Sequence, residues 1–190
     1  MTPNDMTWLN EPPRWHWTDG TLAVTTADRS DFWQETFYGF YRDNGHFLYG
    51  AAEGDFSVEA TFDGRYEALY DQAGLMLRID ARRWIKAGVE FTDNQKHFSV
   101  VATNGRSDWS VVALPWAAGP VTARLTRDGD AVRVHYRDAR GAWQMARLAP
   151  FPADGTAHVG MMCCSPERAG FEATFRDFRL GPPIARSLHA

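Results

Sequence analysis

Apolar and polar residues alternate with a period of two along most of the chain. Ten short segments carry this pattern: Asp55–Phe62, Ala73–Asp80, Trp84–Phe91, His97–Thr103, Asp108–Ala113, Val121–Thr126, Val132–Arg137, Ala142–Leu148, Ala157–Cys163 and Phe171–Leu180. Successive side chains of a β-strand point to opposite faces, so the pattern is typical of strands with one buried face. It predicts an all-β fold, an antiparallel two-sheet jelly-roll sandwich.

The length fits one such domain. The chain has 190 residues, 44% of them hydrophobic and 23% charged, with neither an internal repeat nor a linker. These proportions are those of a folded globular domain. We predict a single domain over residues 1–190, with frayed ends at about 1–6 and 182–190.

Charge and hydropathy argue against two classes of partner. The 20 basic and 24 acidic residues give a formal charge of −4, whereas binding to a nucleic-acid backbone needs a basic patch. The longest uncharged run, Trp109–Ala123, is too short for a membrane helix, and no signal peptide is readable. We therefore expect no nucleic-acid partner, no membrane association and a cytoplasmic location.

The two cysteines, Cys163 and Cys164, are adjacent in a predicted strand. Neighbouring residues of a strand point to opposite faces, which disfavours a disulfide between them, and two reduced thiols fit a cytoplasmic protein. Cys and His residues do not occur at the spacing of a zinc site, and no phosphate-binding glycine loop is present. We expect neither a metal nor another cofactor.

Hydrophobic matching predicts a four-stranded meander between residues 73 and 113, with one apolar face. The pairs that set its register are Leu77 with Ala87, Val89 with Val100, and Val100 with Val111. In this register Trp109 belongs to the apolar face and therefore to the core.

The opposite face of the meander is polar but contains glycine, valine and methionine, which leaves room above it and predicts the floor of a groove. Gly74 and Gly88 lie diagonally in adjacent rows, a position that indicates close approach of a ligand. In this register Arg78 faces Lys86, two like charges that need an acid or an anionic ligand between them. The polar residues predicted to bind a ligand there are Gln72, Arg78, Lys86, Glu90, His97, Ser99 and Asp108.

Aromatic side chains make up 14% of the chain and are dense between residues 30 and 49. Some of them must belong to the core of a β-rich fold. A loop that carries Trp33 or Tyr38 over the groove supplies a ring on which a sugar can stack. His46 follows a turn in the same segment and is a further candidate for ligand binding or general base catalysis.

Glu90 is the candidate catalytic residue of the groove. Hydrolysis of a glycosidic bond needs two carboxylates, about 5–9.5 Å apart, and no acidic residue opposes Glu90 in the predicted register. Asp71 is the best candidate for the second carboxylate, reaching the groove from a loop. A nucleophilic triad is not indicated, because the chain contains no G-x-S-x-G motif.

Two segments also carry a family resemblance. The segment EALYDQAGLMLRIDARRWIKAGVEF (67–91) and the segment HFSVVATNGRSDWSVV (97–112) resemble the DUF1349 family, whose members are also labelled "regulation of enolase protein 1"-like. The resemblance extends from about Trp8 to Leu180 and implies a concanavalin A-like jelly roll. It implies no catalytic mechanism, and the E-x-D-x-E strand of jelly-roll glucanases is replaced by KAGVE at residues 86–90.

Three functions remain open at this point. The first is binding of a carbohydrate or a small sugar-like ligand in the groove. The second is an enzyme acting on a small sugar or sugar acid, with Glu90 as general acid/base and Lys86 orienting an anionic group. The third is a regulatory protein that binds a protein partner or forms a homo-oligomer.

Overall fold

Two antiparallel sheets of seven strands and a short two-stranded hairpin make up the protein. The structure, a computed structural model, describes residues 5–153 and 155–188. Its strands are β1 (Thr7–Leu9), β2 (Arg14–Thr18), β3 (Thr21–Thr25), β4 (Phe32–Gln34), β5 (Tyr41–Asp43), β6 (His46–Ala52), β7 (Phe56–Gly64), β8 (Gln72–Asp80), β9 (Arg83–Thr92), β10 (Gln95–Asn104), β11 (Ser107–Ala113), β12 (Val121–Asp128), β13 (Ala131–Arg137), β14 (Trp143–Pro150), β15 (Ala157–Cys164) and β16 (Glu172–Gly181). We find no helix in the described ranges that is long and apolar enough to cross a membrane.

The two large sheets pack face to face. The first sheet has the order β1-β6-β15-β8-β9-β10-β11 and the second β14-β13-β12-β7-β16-β3-β2. A large apolar cluster fills the space between them, with side chains such as Leu75, Phe98 and Leu125 fully buried. The prediction of an antiparallel two-sheet sandwich is confirmed, and each of the ten predicted segments overlaps one of the strands β7 to β16.

The first two hairpins of the meander β8-β9-β10-β11 are shifted by two residues from the predicted register. Leu77 pairs with Ile85, and Val89 pairs with Phe98. A shift of two leaves every side chain on its predicted face. The β9–β10 turn is Asp93-Asn94, and both residues have a positive φ, as a two-residue type I′ turn requires.

The third hairpin is shifted by one residue, which reverses the two faces of β11. Val101 pairs with Trp109 there, so Trp109 lies on the outer face of the first sheet, and the prediction that it belongs to the core is wrong. Asp108 lies on the opposite face, away from the predicted groove, and forms an ion pair with Arg147 of β14. The connection between β10 and β11 contains Gly105 at a φ of 75°.

The outer face of the first sheet is covered over much of its area by the β4–β5 hairpin. A second apolar cluster lies beneath the hairpin: Phe32, Phe47, Met76, Trp84, Val101, Met162 and Cys164. The residues of β8 from Gln72 to Arg78 are therefore buried on both faces of the sheet. The predicted open groove is reduced to a pocket beside the hairpin.

Gly74 and Gly88 are paired directly rather than diagonally. A Cβ atom at either position would collide with the backbone of the opposite strand. Glycine is therefore needed here because two strands approach each other closely, and not because a ligand does.

The C-terminal segment after β16 is not free over its described part. Arg133 Nη1 donates hydrogen bonds to the carbonyl oxygens of Ala185 (2.8 Å) and Ser187 (2.9 Å). These bonds hold part of the C-terminal segment against β13, and the frayed ends stay a prediction, with residues 1–4 and 189–190 outside the described ranges.

Candidate functional site

A pocket of about 260 Å³ opens on the outer face of the first sheet, beside the β4–β5 hairpin. Its lining consists of Asp31, Trp33, Tyr38, Phe40, Tyr70, Gln72, Lys86, Glu90, Val101, Trp109, Pro166 and Glu167. A larger pocket of about 490 Å³ lies elsewhere, but its two carboxylates, Asp108 and Asp130, are both exposed. The smaller pocket is the candidate site, because it combines aromatic rings with buried ionisable groups.

Two pairs of aromatic rings form the walls of this pocket. Trp33 and Tyr38 meet at an interplanar angle of 70°, with ring centroids 5.8 Å apart. Tyr70 and Trp109 meet at 84°, with centroids 6.2 Å apart. A hydrogen bond of 3.0 Å between the hydroxyls of Tyr38 and Tyr70 joins the two walls. Tyr70 has a positive φ of 67°, a conformation that is uncommon for residues other than glycine.

Glu90 lies at the floor of the pocket and is 4% exposed. Its Oε2 accepts a hydrogen bond from Ser99 Oγ (3.1 Å), which in turn accepts one from Trp109 Nε1 (3.0 Å). Burial raises the pKa of Glu90 to about 7, although the charge of Lys86 and the hydrogen bond from Ser99 oppose this effect. A carboxyl with this pKa can take up and release a proton near neutral pH.

Lys86 also lies at the floor, where its Nζ forms an ion pair with Asp31 Oδ1 at 3.0 Å. Burial alone would lower the pKa of Lys86, but the charge and the hydrogen bond of Asp31 raise it, so the amine stays protonated. Asp31 stands immediately before β4. The sequence predicts an acid or an anionic ligand beside Lys86. Asp31, in the segment that leads into the hairpin, is that acid.

Arg78 does not face Lys86, because it pairs with Trp84 across the β8–β9 ladder. Its guanidinium donates to both carboxylate oxygens of Asp43, at 2.7 and 2.8 Å, and it does not line the pocket. The prediction of a like-charge pair is wrong, since each of the two cations has its own acid from the ends of the β4–β5 hairpin.

The structure brings five of the predicted site residues into the pocket lining. These are Trp33, Tyr38, Gln72, Lys86 and Glu90. Ser99 contacts Glu90 from below. His97 pairs with Glu90 across β9 and β10 without lining the pocket, and its buried Nδ1 has no hydrogen-bond partner among the described atoms.

Asp71 is buried but turned away from the pocket. Its Oδ2 accepts hydrogen bonds from the backbone N–H groups of Glu67 and Ala68, each at 3.0 Å, and it forms an ion pair with Arg168 at 2.6 Å. The structure therefore does not place Asp71 as the second carboxylate beside Glu90. The other carboxylates of the pocket lining are Asp31 and Glu167.

His46 lies outside the pocket lining as well. Its Nε2 accepts a hydrogen bond from the Ala27 N–H (2.9 Å), and its Nδ1 donates to the Asn10 carbonyl (2.6 Å). Burial lowers the pKa of this imidazole, although the bond to Asn10 opposes the effect. The contacts indicate that His46 ties the N-terminal segment to the first sheet.

Sequence reasoning gave no binding role to the other seven residues of the lining: Asp31, Phe40, Tyr70, Val101, Trp109, Pro166 and Glu167. Tyr70 and Trp109 lie within the two segments that resemble the family, 67–91 and 97–112. Pro166 and Glu167 follow β15 in a loop, where no periodic pattern indicates what they face. Nowhere in the described ranges do three or more His, Cys, Asp or Glu side chains form a group suited to a metal ion.

Comparisons with known proteins agree on one family. A model described as "Protein of unknown function (DUF1349)" matches residues 8–183. "Regulation of enolase protein 1" of Saccharomyces cerevisiae is 42% identical over 183 residues, which cover 96% of this chain and 92% of the yeast protein.

Solved structures show the same fold. A crystal structure of a functionally unknown protein from Saccharomyces cerevisiae has a TM-score of 0.93 and 40% identity, covering 97% of this chain and all of that one. The GH43 BlXynB protein from Bacillus licheniformis has a TM-score of 0.73 and 15% identity. The match covers 93% of this chain but 36% of that one, and at this identity the likeness shows the fold alone.

Proposed function

The chain belongs to the DUF1349 family of proteins of unknown function, and we propose that this member binds a carbohydrate or a small sugar-like ligand in the pocket beside the β4–β5 hairpin. One observation carries the proposal: two aromatic walls stand over a floor of buried hydrogen-bonding side chains. A sugar ring has apolar C–H faces that pack on aromatic rings and hydroxyls that need polar partners. Gln72, Lys86 and Glu90 offer those partners.

The volume of the pocket limits the size of the ligand. Small-molecule sites measure about 300–1,000 Å³, and this pocket is slightly smaller, at about 260 Å³. A ligand with the bulk of one sugar ring is therefore favoured over a long oligosaccharide.

The test is a binding titration with glucose, xylose and their short oligomers. Calorimetry and tryptophan fluorescence measure the binding. Trp109→Ala removes one wall and should weaken binding roughly tenfold, the amount that one lost ring contact costs. Trp116→Ala is the matched control, because Trp116 is 37% exposed against 39% for Trp109 and does not line the pocket. The proposal is wrong if none of these sugars binds at millimolar concentration, or if both variants bind as the parent does.

A second candidate is an enzyme that acts on a small sugar, with Glu90 as general acid/base. The pKa of about 7 favours it, because an acid/base catalyst works best when its pKa is near the working pH. Lys86 is neutralised by Asp31, so it no longer supports a role in orienting an anionic group. Glu90→Gln should then abolish turnover of a nitrophenyl glycoside and leave binding intact; equal turnover by parent and variant would reject this role.

Regulation through a protein partner or a second copy of the chain stays a prediction. The tip of the β4–β5 hairpin offers a contact for such a partner, since the Phe37 ring is 94% exposed there. A single exposed ring does not identify what would cover it.

A further inference from the structure

The charges around the pocket do not balance. Among the described residues that line it, three are carboxylates and one, Lys86, is a cation. The charge of Lys86 is matched by Asp31 at 3.0 Å. Glu90 and Glu167 have no ion-pair partner within 4 Å in the described part of the chain, so the lining carries an excess of negative charge whenever Glu90 is ionised.

The rings around the same space add a second attraction for positive charge. The face of an aromatic ring carries a negative potential, and cations bind over Trp, Tyr and Phe rings in that order of strength. The nearly perpendicular contacts of Trp33 with Tyr38 and of Tyr70 with Trp109 allow a small group between the walls to face more than one ring. Aromatic cages of this kind recognise ammonium groups in other proteins.

The cations already near these rings do not fill the pocket. The Arg42 guanidinium lies 5.1 Å from the centroid of the Phe40 ring, and Arg42 is not part of the pocket lining. Lys86 Nζ lies 5.8 Å from the centroid of Trp84, which is buried beneath the hairpin. The walls formed by Trp33, Tyr38, Tyr70 and Trp109 have no cation–π partner among the described residues.

We infer that the ligand of this pocket carries a positive charge, as an amino sugar does in its ammonium form, with the ammonium group at Glu90 and the sugar ring between the aromatic walls. The inference rests on the proposed function, since it names the class of sugar. The charge of Lys86 acts on Glu90 from a distance, but its ion pair is with Asp31, so an ammonium at Glu90 supplies the direct ion-pair partner that this buried carboxylate lacks in the described part of the chain. The raised pKa of Glu90 fits this account, because a carboxyl buried without a full counter-charge holds its proton.

The test compares ligands that share one ring and differ in charge. Glucosamine, glucose and glucuronate are titrated into the protein at pH 7 by calorimetry. Glucosamine should bind about tenfold tighter than glucose, and glucuronate should bind most weakly, because a carboxylate meets like charges. Equal affinity for glucosamine and glucose, or tighter binding of glucuronate, would overturn the inference and leave sugar binding itself standing.

Variants identify the groups responsible. Glu90→Gln and Glu167→Gln should each reduce the advantage of glucosamine over glucose several-fold. Glu53→Gln removes an exposed carboxylate outside the pocket lining and should leave that advantage unchanged. If glucosamine binds more tightly than glucose by the same factor in all three variants, the pocket carboxylates do not recognise the charge of the ligand.

Choline separates the failure of this inference from the failure of the proposed function. Choline carries a permanent ammonium charge but no sugar ring. If choline binds and none of the sugars does, sugar binding is wrong and the positive charge of the ligand stands. If neither choline nor any sugar binds, both are wrong.

Discussion

Glu90 and Asp71 are both buried carboxyl groups, and their surroundings give them different roles. Asp71 is compensated by the Arg168 guanidinium and by two backbone N–H groups. Glu90 accepts a hydrogen bond from Ser99, has no ion-pair partner within 4 Å in the described part of the chain, and lies at the floor of a pocket. A buried carboxyl with incomplete compensation costs stability, so a fold keeps one where it serves a function.

The pH dependence of stability tests this account of Glu90. Its pKa is about 7 in the folded protein, against 4.5 for the ordinary group, so the folded state binds the proton more tightly than the unfolded state does. Stability contributed by the protonated carboxyl is therefore lost as pH rises from about 4.5 to about 7. Glutamine does not ionise, so the stability of Glu90→Gln relative to the parent should increase by about 3 kcal/mol between pH 4 and pH 8.

The measurement is urea unfolding at a series of pH values, followed by tryptophan fluorescence. Other groups close to Glu90, namely Lys86 and Asp31, are present in both proteins, so the comparison isolates the one carboxyl. Glu53→Gln, at an exposed position, is the control for the loss of one carboxylate. A difference between Glu90→Gln and the parent that does not change with pH would contradict the raised pKa of Glu90.

At the scale of elements, the β4–β5 hairpin decides what the first sheet can bind. Its strands have three residues each, and a hairpin of this size is not stable alone in water. Two ion pairs with buried cations hold it over the sheet, Lys86 with Asp31 and Arg78 with Asp43. A more exposed pair joins Arg106 to Glu35 of the hairpin loop. Two cations that the sequence assigned to ligand binding therefore anchor the element that builds the pocket.

Removing one anchor should loosen the hairpin. Asp43→Ala leaves the buried Arg78 guanidinium without its carboxylate, and about 2–4 kcal/mol of stability should be lost. Replacing both partners, Asp43→Leu with Arg78→Met, should recover part of this loss, because no buried charge then remains. Urea unfolding measures the loss, and hydrogen exchange of residues 31–45 shows whether it is confined to the hairpin.

Asp28→Ala is the control for that experiment. Asp28 and Arg29 form an exposed pair at 3.9 Å, and such pairs contribute about 0–1 kcal/mol. If Asp43→Ala costs no more than Asp28→Ala does, the buried pair is not an anchor. Because Asp43 does not line the pocket, any loss of ligand binding in Asp43→Ala must act through the hairpin.

The limits of prediction from sequence are also clearest at this scale. Alternation is a local signal, and it correctly predicts the ten strands β7 to β16. Register is not local: a shift of two satisfies hydrophobic matching equally well, and turns such as Asp93-Asn94 decide between the alternatives. The one-residue shift at β11, an edge strand, turned its apolar residues outward and brought Trp109 to the pocket.

The candidate site is also predictable only in part: its strand residues follow from alternation, and the position of the hairpin does not. Gln72, Lys86 and Glu90 lie on the outward-facing positions of predicted strands, and alternation alone identifies that face. The ion pairs that place the hairpin join residues 35 and 55 positions apart, and no local pattern reveals them. Trp33 and Tyr38 were found because they stand out as aromatic residues, whereas Asp31 beside them was not.

Over the whole molecule, the first sheet separates two apolar clusters. One lies between the two sheets, and the other lies between the first sheet and the hairpin. Cys163 and Cys164, adjacent in β15, belong to different clusters: Cys163 lies between the sheets and Cys164 beneath the hairpin. Both are free thiols, and burial raises the pKa of each, so the reactive thiolate is scarce while the surroundings of each thiol stay closed.

The two thiols therefore report on two different openings of the molecule. In Cys163→Ala the remaining thiol, Cys164, becomes reactive when the hairpin lifts, whereas in Cys164→Ala the remaining Cys163 needs the two sheets to separate. Local opening costs less free energy than global unfolding.

We expect a thiol reagent to label Cys164 faster than Cys163 in native buffer. The rate for Cys164 should respond weakly to low urea, and the rate for Cys163 should rise steeply. Equal rates with equal urea dependence would mean that the hairpin and the sandwich open as one unit, so that the pocket cannot open without unfolding the protein.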